Sequence, residues 1–319
     1  MTITRRTALF GAATLAGTEM LRRFAPGFLA AEAEQAAPAV DRLTQMRQQF
    51  GAAPIASEKL SPTVSLLSGA GGNVVLIQGK DGKVLIDGFV KTAWRNLKKT
   101  LDAADSTPIR ALIDTHWHFD HADNNGQVRA EGGTVIASDN TRARLTQTHD
   151  VLGMHFPAEP SSSLPNKTFR TGLQVPINGE ELSLLLVPPA HTDTDTFVLL
   201  RKANVLHMGD VFFNGVYPFI DASTGGRING MIDGADRALK MTNAQTKIVP
   251  GHGPLGDRAA LQKYRTMLAT IRDRIRALKA KGATLDEVKA AKTSAEFDAD
   301  WGKGMMTPDA FVALVYAGV

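Results

Sequence analysis

Cysteine is missing from all 319 residues, so the chain forms no disulfide, offers no thiolate to a metal and has no thiol nucleophile. That absence leaves the redox compartment open. A strong charge of one sign is missing too: the formal charge is +4, and residues 1–33 hold Arg5, Arg6, Arg22 and Arg23 against Glu19 and Glu32, which leaves +2 for the rest. So small an excess does not argue for a nucleic-acid partner. No apolar run has the length of a membrane span, and no repeat of fixed period is visible. What is present is ordinary for a globular protein of one large or two ordinary domains, with 43% hydrophobic and 21% charged residues.

The first residues read as an address. Thr4-Arg5-Arg6-Thr7-Ala8-Leu9-Phe10 resembles a twin-arginine export signal, followed by a weakly apolar stretch to Leu21 that Glu19 interrupts. Ala31-Glu32-Ala33 offers a cleavage site. The expectation is a leader over 1–33 that engages the export machinery and delivers a folded enzyme to the periplasm. Residues 34–60 follow as a linker and short helix, with Leu43, Met46 and Phe50 on one face.

Most of the chemistry is concentrated in Thr115-His116-Trp117-His118-Phe119-Asp120-His121-Ala122-Asp123. Three imidazoles and a carboxylate fall within six positions, just after the apolar run Ile109–Ile113, which reads as a buried strand. Imidazole and carboxylate are the usual protein ligands of zinc. The other candidates also stand where strands are expected to end: His191 after 182–189, Asp210 after 205–209, His252 after 247–250. Strand ends hold side chains rigidly, so several ends at one edge can assemble a metal site. His116, His118 and His191 would complete a three-histidine zinc with an open position, Asp120, His121 and His252 a second, and Asp210 would bridge them.

Around these ligands the chain has an α/β grammar. Short β-rich runs are expected at 63–68, 73–78 and 83–86, then a helix over 91–104, the strand 109–113, a strand at 134–137 and a helix near 140–147. After a polar turn at 161–165 come strands at 182–187, 197–200 and 205–208, a helix near 231–241 and a strand at 247–249. Two strand-rich halves with helices between strands imply two sheets packed face to face with helices outside. From Asp257 the chain is helical, with Leu261, Tyr264, Leu268, Ile271 and Ile275 on one face and Gly282 as the stop. Thr307 and Pro308 begin a last helix as N-cap and N1. Gly69, Gly71 and Gly72 mark a turn that could cover a pocket.

The set H116-x-H118-x-D120-H121, His191, Asp210, His252, in that order, is similar to the ligand set of the metallo-β-lactamase fold superfamily over roughly 63–253. The resemblance implies a four-layer αββα sandwich over 61–255, a helical extension over 256–319 and two Zn2+ at one edge. It also implies a metal-bridging hydroxide as nucleophile, oriented by Asp120. Asp210 lies 19 residues after His191 and 42 before His252, which resembles the cysteine-containing β-lactamase subclass; here aspartate replaces that cysteine, and Phe213 stands where the subclass has a carboxylate-gripping lysine. Aspartate there resembles the thioesterase (glyoxalase II type), lactonase and nuclease branches.

The expected function is therefore a zinc hydrolase of a small molecule, with a β-lactam as first substrate and Arg227 as the substituted carboxylate grip. A thioester or lactone hydrolase is the first alternative, and a non-catalytic zinc-binding periplasmic protein the second. A nuclease is disfavoured by the small charge, and a di-iron redox enzyme by His118 in place of glutamate. His149, His155 and His207 read as packing or surface residues, Asp123, Asp193 and Asp195 as loop shapers. Asp114 is either an acceptor for a ligand imidazole or an ordinary strand-end aspartate. Trp117, Phe156, Tyr217 and Phe219 are candidates for a pocket wall. Mass spectrometry of the exported protein is expected to find a mature N-terminus after Ala33; an N-terminus at Met1 or Thr2 would refute the leader.

Overall fold

The structure, a computed structural model, describes residues 41–319. The expected leader over 1–33, its cleavage site and residues 34–40 of the linker lie outside the described residues. The described chain opens with α1 (Arg42–Gly51), capped by Asp41, whose carboxylate accepts from Thr44 N. Strands β1 (Ala56–Lys59), β2 (Val64–Ser68), β3 (Val74–Ile77) and β4 (Lys83–Ile86) run as an antiparallel meander. Helix α2 (Trp94–Ala104) crosses to β5 (Ile109–Ile113), which pairs parallel with β4. The short helices α3 (Phe119–Ala122) and α4 (Asn125–Ala130) lead to β6 (Thr134–Ser138) and α5 (Asp139–Leu145). A hairpin of β7 (His149–Val151) and β8 (Met154–Phe156) precedes β9 (Lys167–Phe169), the last strand of the first sheet, whose order is β1-β2-β3-β4-β5-β6-β9.

The second sheet, β10 (Gly172–Ile177), β11 (Glu180–Leu186), β12 (Thr196–Leu200), β13 (Val205–His207) and β14 (Lys247–Val249), is antiparallel until its last pair. Helix α6 (Ile228–Met241) makes the crossover that lets β13 and β14 run parallel. Then come α7 (Arg258–Lys279), α8 (Leu285–Ala290), α9 (Ala295–Trp301) and α10 (Pro308–Ala317).

Alternation along the strands decides the layering. Val75, Ile77, Val84, Ile86, Ala111 and Ile113 of the first sheet meet Leu182, Leu184, Val198, Leu200, Val205 and Val249 of the second in one buried core. The opposite faces are covered separately. Val74, Leu76, Leu85 and Leu112 pack on Leu97 and Leu101 of α2, while Phe197, Leu206 and Ile248 pack against α6, α7 and α10. This is the four-layer αββα sandwich.

The helices past 256 are thus part of the outer layer: Leu261, Tyr264, Leu268, Ile271 and Ile275 all face that core. Thr307 caps α10 by accepting from Ala310 N, with Pro308 at its start. Two parts of the linker expectation change. Ala56–Lys59 is a strand, invisible to periodicity because all four residues are exposed on an edge, and α1 is tied to the motif loop by a bidentate ion pair from Arg47 to Asp123 (2.6 and 2.8 Å).

The glycine turn at 69–72 is held closely by its neighbours in the fold. It packs against the back of the histidine motif, where Gly72 N donates to Asp120 O at 3.3 Å and Gly71 holds φ +125°. A Cβ at Gly72 would enter the ring of His121, a fully buried side chain. Gly72→Ala is expected to destabilise the fold by about 1–3 kcal/mol through overpacking and to weaken metal uptake, read by thermal unfolding and metal titration. An unchanged melting temperature with unchanged metal affinity would show that the ring has room to move.

Candidate metal centre

Four strand ends meet at one edge of the sandwich. The parallel runs β4-β5-β6 and β13-β14 each direct their C-terminal ends one way, so the residues that follow β5, β13 and β14 emerge together. Thr196 N, at the start of β12, donates to Thr115 O at 2.8 Å and binds the second sheet to the motif. The loop after β14 is held twice: Gly251 N donates to Gly209 O (2.7 Å), and Asn73 N donates to Gly251 O (2.7 Å). Asp195 shapes the loop of His191, accepting from the backbone N–H of His191 (2.8 Å) and Thr192 (3.0 Å) and from the Thr192 hydroxyl.

Ligand-type atoms of His116, His118, His191 and Asp210 lie within 4.8 Å of one another, and so do those of Asp120, His121 and His252. Asp210 reaches both groups. Its Oδ2 is 3.4 Å from His191 Nε2, 3.9 Å from His116 Nε2 and 3.4 Å from His252 Nε2, and its Oδ1 is 3.1 Å from His121 Nε2. Asp120 Oδ2 is 3.3 Å from His252 Nε2. The structure thus brings together all seven residues expected as ligands.

The outward nitrogens fix the tautomers of four rings. His121 Nδ1 donates to Asp87 Oδ2 (2.7 Å), His118 Nε2 to Asp221 Oδ2 (3.2 Å) and His191 Nδ1 to the Phe219 carbonyl (2.9 Å). The Thr115 hydroxyl gives its own proton to Asp87 Oδ2 (2.8 Å) and therefore accepts from His116 Nδ1 (3.1 Å). In its neutral form each ring therefore directs its remaining nitrogen inward as a lone pair. Two of these, His118 Nδ1 and His191 Nε2, stand 2.8 Å apart, an arrangement that needs a cation or a shared proton between them. The buried His116 Nε2 has no hydrogen-bond partner, while His121 Nε2 and Asp210 Oδ1 face each other at 3.1 Å outside hydrogen-bond geometry. Orphaned inward lone pairs backed by outward hydrogen bonds are what a metal site needs, so these residues fit divalent cations.

The electrostatics divide the two groups. Burial pushes His116 well below the ordinary imidazole range and His191 down to about 4, so both stay neutral. Burial also opposes charge on Asp120, but His121 and His252 hold it down to about 2; Asp210 is likewise held well below the carboxylate range by His252, His121 and His191. Against burial, Asp210, Asp87 and Asp120 hold His121 well above its usual value, and Asp210 with Asp120 pushes His252 up to about 10. The carboxylates are compensated by protons when no metal is present.

Asp87 and Asp221 escape a reading of sequence. Asp87 follows β4 as Ile86-Asp87-Gly88 with φ +64°, and Asp221 is one aspartate in a loop; only the fold aims them at the rings. Asp114 meets no imidazole: its Oδ2 accepts from Asn125 Nδ2 at 2.9 Å. His149 and His155 bond within their own neighbourhood, to Arg144 O and Asp150, and His207 is buried between Asn73 O and Gly209 N. Asp123 pairs with Arg47, Asp193 with Arg144. Trp117 and Phe156 belong to a buried cluster beside the motif.

A cavity of about 320 Å³ opens on the centre, with Asp120, Asp210 and His252 at its polar end and Tyr217 and Phe219 in its wall. Phe213 also lines it, stacked on the His252 ring at 5.2 Å. Arg227 does not line it; that side chain is exposed, with Nε 3.3 Å from Pro189 O.

The family profile of the metallo-β-lactamase superfamily matches residues 67–267. A beta-lactamase-like protein 2 homolog of Caenorhabditis elegans is 24% identical over 212 residues, 63% of this chain and 65% of its own length. Among solved structures, a metallo-beta-lactamase from Pontibacter korlensis is similar over 67% of this chain and 99% of its own (TM-score 0.55, 21% identity). The inverting sec-alkylsulfatase Pisa1 from Pseudomonas sp. is similar over 82% of this chain and 50% of its own (TM-score 0.62, 20% identity).

Removing an outward acceptor is expected to loosen its ring. Asp87→Ala should lower divalent-metal affinity by about 10–100-fold, measured by competition with a chromogenic chelator; unchanged affinity would reduce Asp87 to packing. Because metal must displace protons held on His121 and His252, affinity is expected to rise with pH up to about 10, with proton release visible calorimetrically in buffers of different ionisation enthalpy.

Proposed function

This chain belongs to the metallo-β-lactamase superfamily, and on that premise we propose that it is a dinuclear zinc hydrolase of a neutral ester, thioester or lactone. The observation that carries the reading is the pair of ligand groups sharing Asp210 at the polar end of the cavity. His116, His118 and His191 would hold one zinc, Asp120, His121 and His252 the other, with Asp210 between. Bound there, zinc would supply Lewis acidity toward the scissile bond and lower the pKa of a water nucleophile.

The protein's own groups set direction and environment. Asp120 lines the cavity and stays ionised, so it accepts a hydrogen bond from the attacking water and fixes its approach. Asp87, Asp221 and the Phe219 carbonyl keep the imidazoles from turning. The apolar wall limits water around the reacting bond.

β-Lactam hydrolysis, first among the expectations from sequence, stands second here. It is supported by the spacing of His191, Asp210 and His252 and by the likeness in fold to solved metallo-beta-lactamases. The cysteine-containing subclass with that spacing, however, uses a lysine to grip a carboxylate. No lysine or arginine is among the residues that line this cavity, and Phe213 occupies the lysine's place. Placement in the periplasm is part of the proposal and rests on the leader alone.

The test is turnover of esters, thioesters, lactones and a chromogenic β-lactam by the purified protein, with zinc and after chelation. Hydrolysis of the neutral substrates that chelation abolishes and zinc restores is expected. Asp120→Asn should cost about a hundredfold or more in kcat with metal content retained by elemental analysis. Near-normal turnover by that variant would remove Asp120 from the mechanism, faster β-lactam turnover would reverse the order of substrates, and metal binding without turnover of any substrate would leave a binding protein.

A further inference from the structure

The cavity's polar atoms are gathered at one end. Beyond Asp120, Asp210 and His252 its walls are mainly methionine and phenylalanine, among them Met46 and Phe50 from α1, Met154 from β8, Phe213 beside His252, and Met305 and Met306 from the segment joining α9 to α10. The phenol of Tyr217, also in the wall, is already committed to Asp298 Oδ1 at 2.8 Å. No charged side chain lines the far end. A substrate with a second charged or strongly polar group would have to desolvate it there without a partner.

The source of these walls is informative. Met46, Phe50, Met305 and Met306 all lie outside residues 67–267, the region matched to the superfamily. α1 is locked over the motif loop by the Arg47–Asp123 pair, with the Arg47 guanidinium 5.6 Å from the Phe119 ring centroid. The segment at 302–306 is anchored nearby, since Tyr217 N donates to Trp301 O at 2.8 Å. Elements at both ends of the described chain thus wall an apolar chamber over the metal edge.

We propose that this chamber binds a hydrocarbon chain of the substrate, so that the enzyme acts on a medium-chain acyl or alkyl compound with its scissile bond at the Asp120–Asp210–His252 end. The proposal rests on the hydrolase reading for the bond broken, and on the cavity for the chain. Methionine suits such an occupant because its unbranched thioether re-packs around flexible chains. A volume of about 320 Å³ equals roughly ten water-sized units, so a chain of about eight carbons fills it once the reacting group is seated. Only Met305 among these walls is largely exposed, at 62%, which makes it the side chain that can be changed with least harm to the fold.

Two measurements on the full-length protein separate the chain site from the chemistry. With methyl-labelled methionine, titration with n-decanol is expected to shift the Met46, Met154, Met305 and Met306 methyl resonances saturably, and those of core methionines such as Met267 far less. In parallel, kcat/KM for a series of linear acyl esters should climb by about threefold to fourfold per methylene to about eight carbons and then level off. Met305→Glu should cut the octanoyl-to-acetyl ratio by about tenfold. Methyl shifts without turnover of any ester, thioester, lactone or β-lactam would uphold the chain site and sink the hydrolase reading. Ester turnover with no chain-length dependence and no methyl shifts would overturn the proposal while leaving the hydrolase intact. An alkyl sulfate series of the same lengths tells whether the chain preference survives a change of head group, and loss of the preference there would refute a site that recognises the chain.

Discussion

Every imidazole of the edge cluster whose outward nitrogen has a partner is held by an acceptor, buried for His116, His118 and His121 and part-buried for His191, and the rest of the site depends on that constraint. A histidine can present a lone pair to an ion in one fixed direction only if its other nitrogen has somewhere to donate. Asp87 does this for two rings, directly for His121 and through the Thr115 hydroxyl for His116. Asp221 does it for His118, and a main-chain carbonyl for His191. Buried acceptors of this kind are costly unless paired, so the loops must close tightly around them. The close approach of Gly72 to the His121 ring and of Gly251 to Asp210 follows from that closure.

The same closure explains how seven ionisable residues are tolerated at an edge that is almost entirely buried. Neutral His116 and His191 sit on one side, while ionised Asp120 and Asp210 are balanced by His121 and His252 on the other. Charge compensation is local, and the cavity beyond it is free to be apolar. Polarity is therefore segregated along the cavity: ligand-type groups at the sheet edge, largely apolar walls from the two ends of the described chain. The sandwich supplies the first, and segments outside the region matched to the superfamily supply the second.

Much of this was legible before any coordinates. Strands 83–86, 109–113 and 247–249 coincide with β4, β5 and β14, because each is a short apolar run bounded by turn residues. The seven ligand-type residues stood out because histidine and aspartate at expected strand ends have few other reasons to be spaced so. Strand β1 was hidden because an exposed edge strand has no apolar alternation, and the β7-β8 hairpin because three-residue strands are too short to show a period. Arg227 was the natural substitute for an absent lysine in sequence, but its side chain points to solvent beside Pro189.

The layers and the ligand types follow from local sequence, since hydrophobic period sets which face of a strand is buried and residue chemistry sets what binds a cation. Tertiary structure alone decided that Asp87 and Asp221, rather than Asp114, orient the rings, and that Met46 and Met305 meet over one cavity. Those pairs are separated by tens to hundreds of residues, and an isolated aspartate or methionine carries no local signal of the partner that folding brings to it.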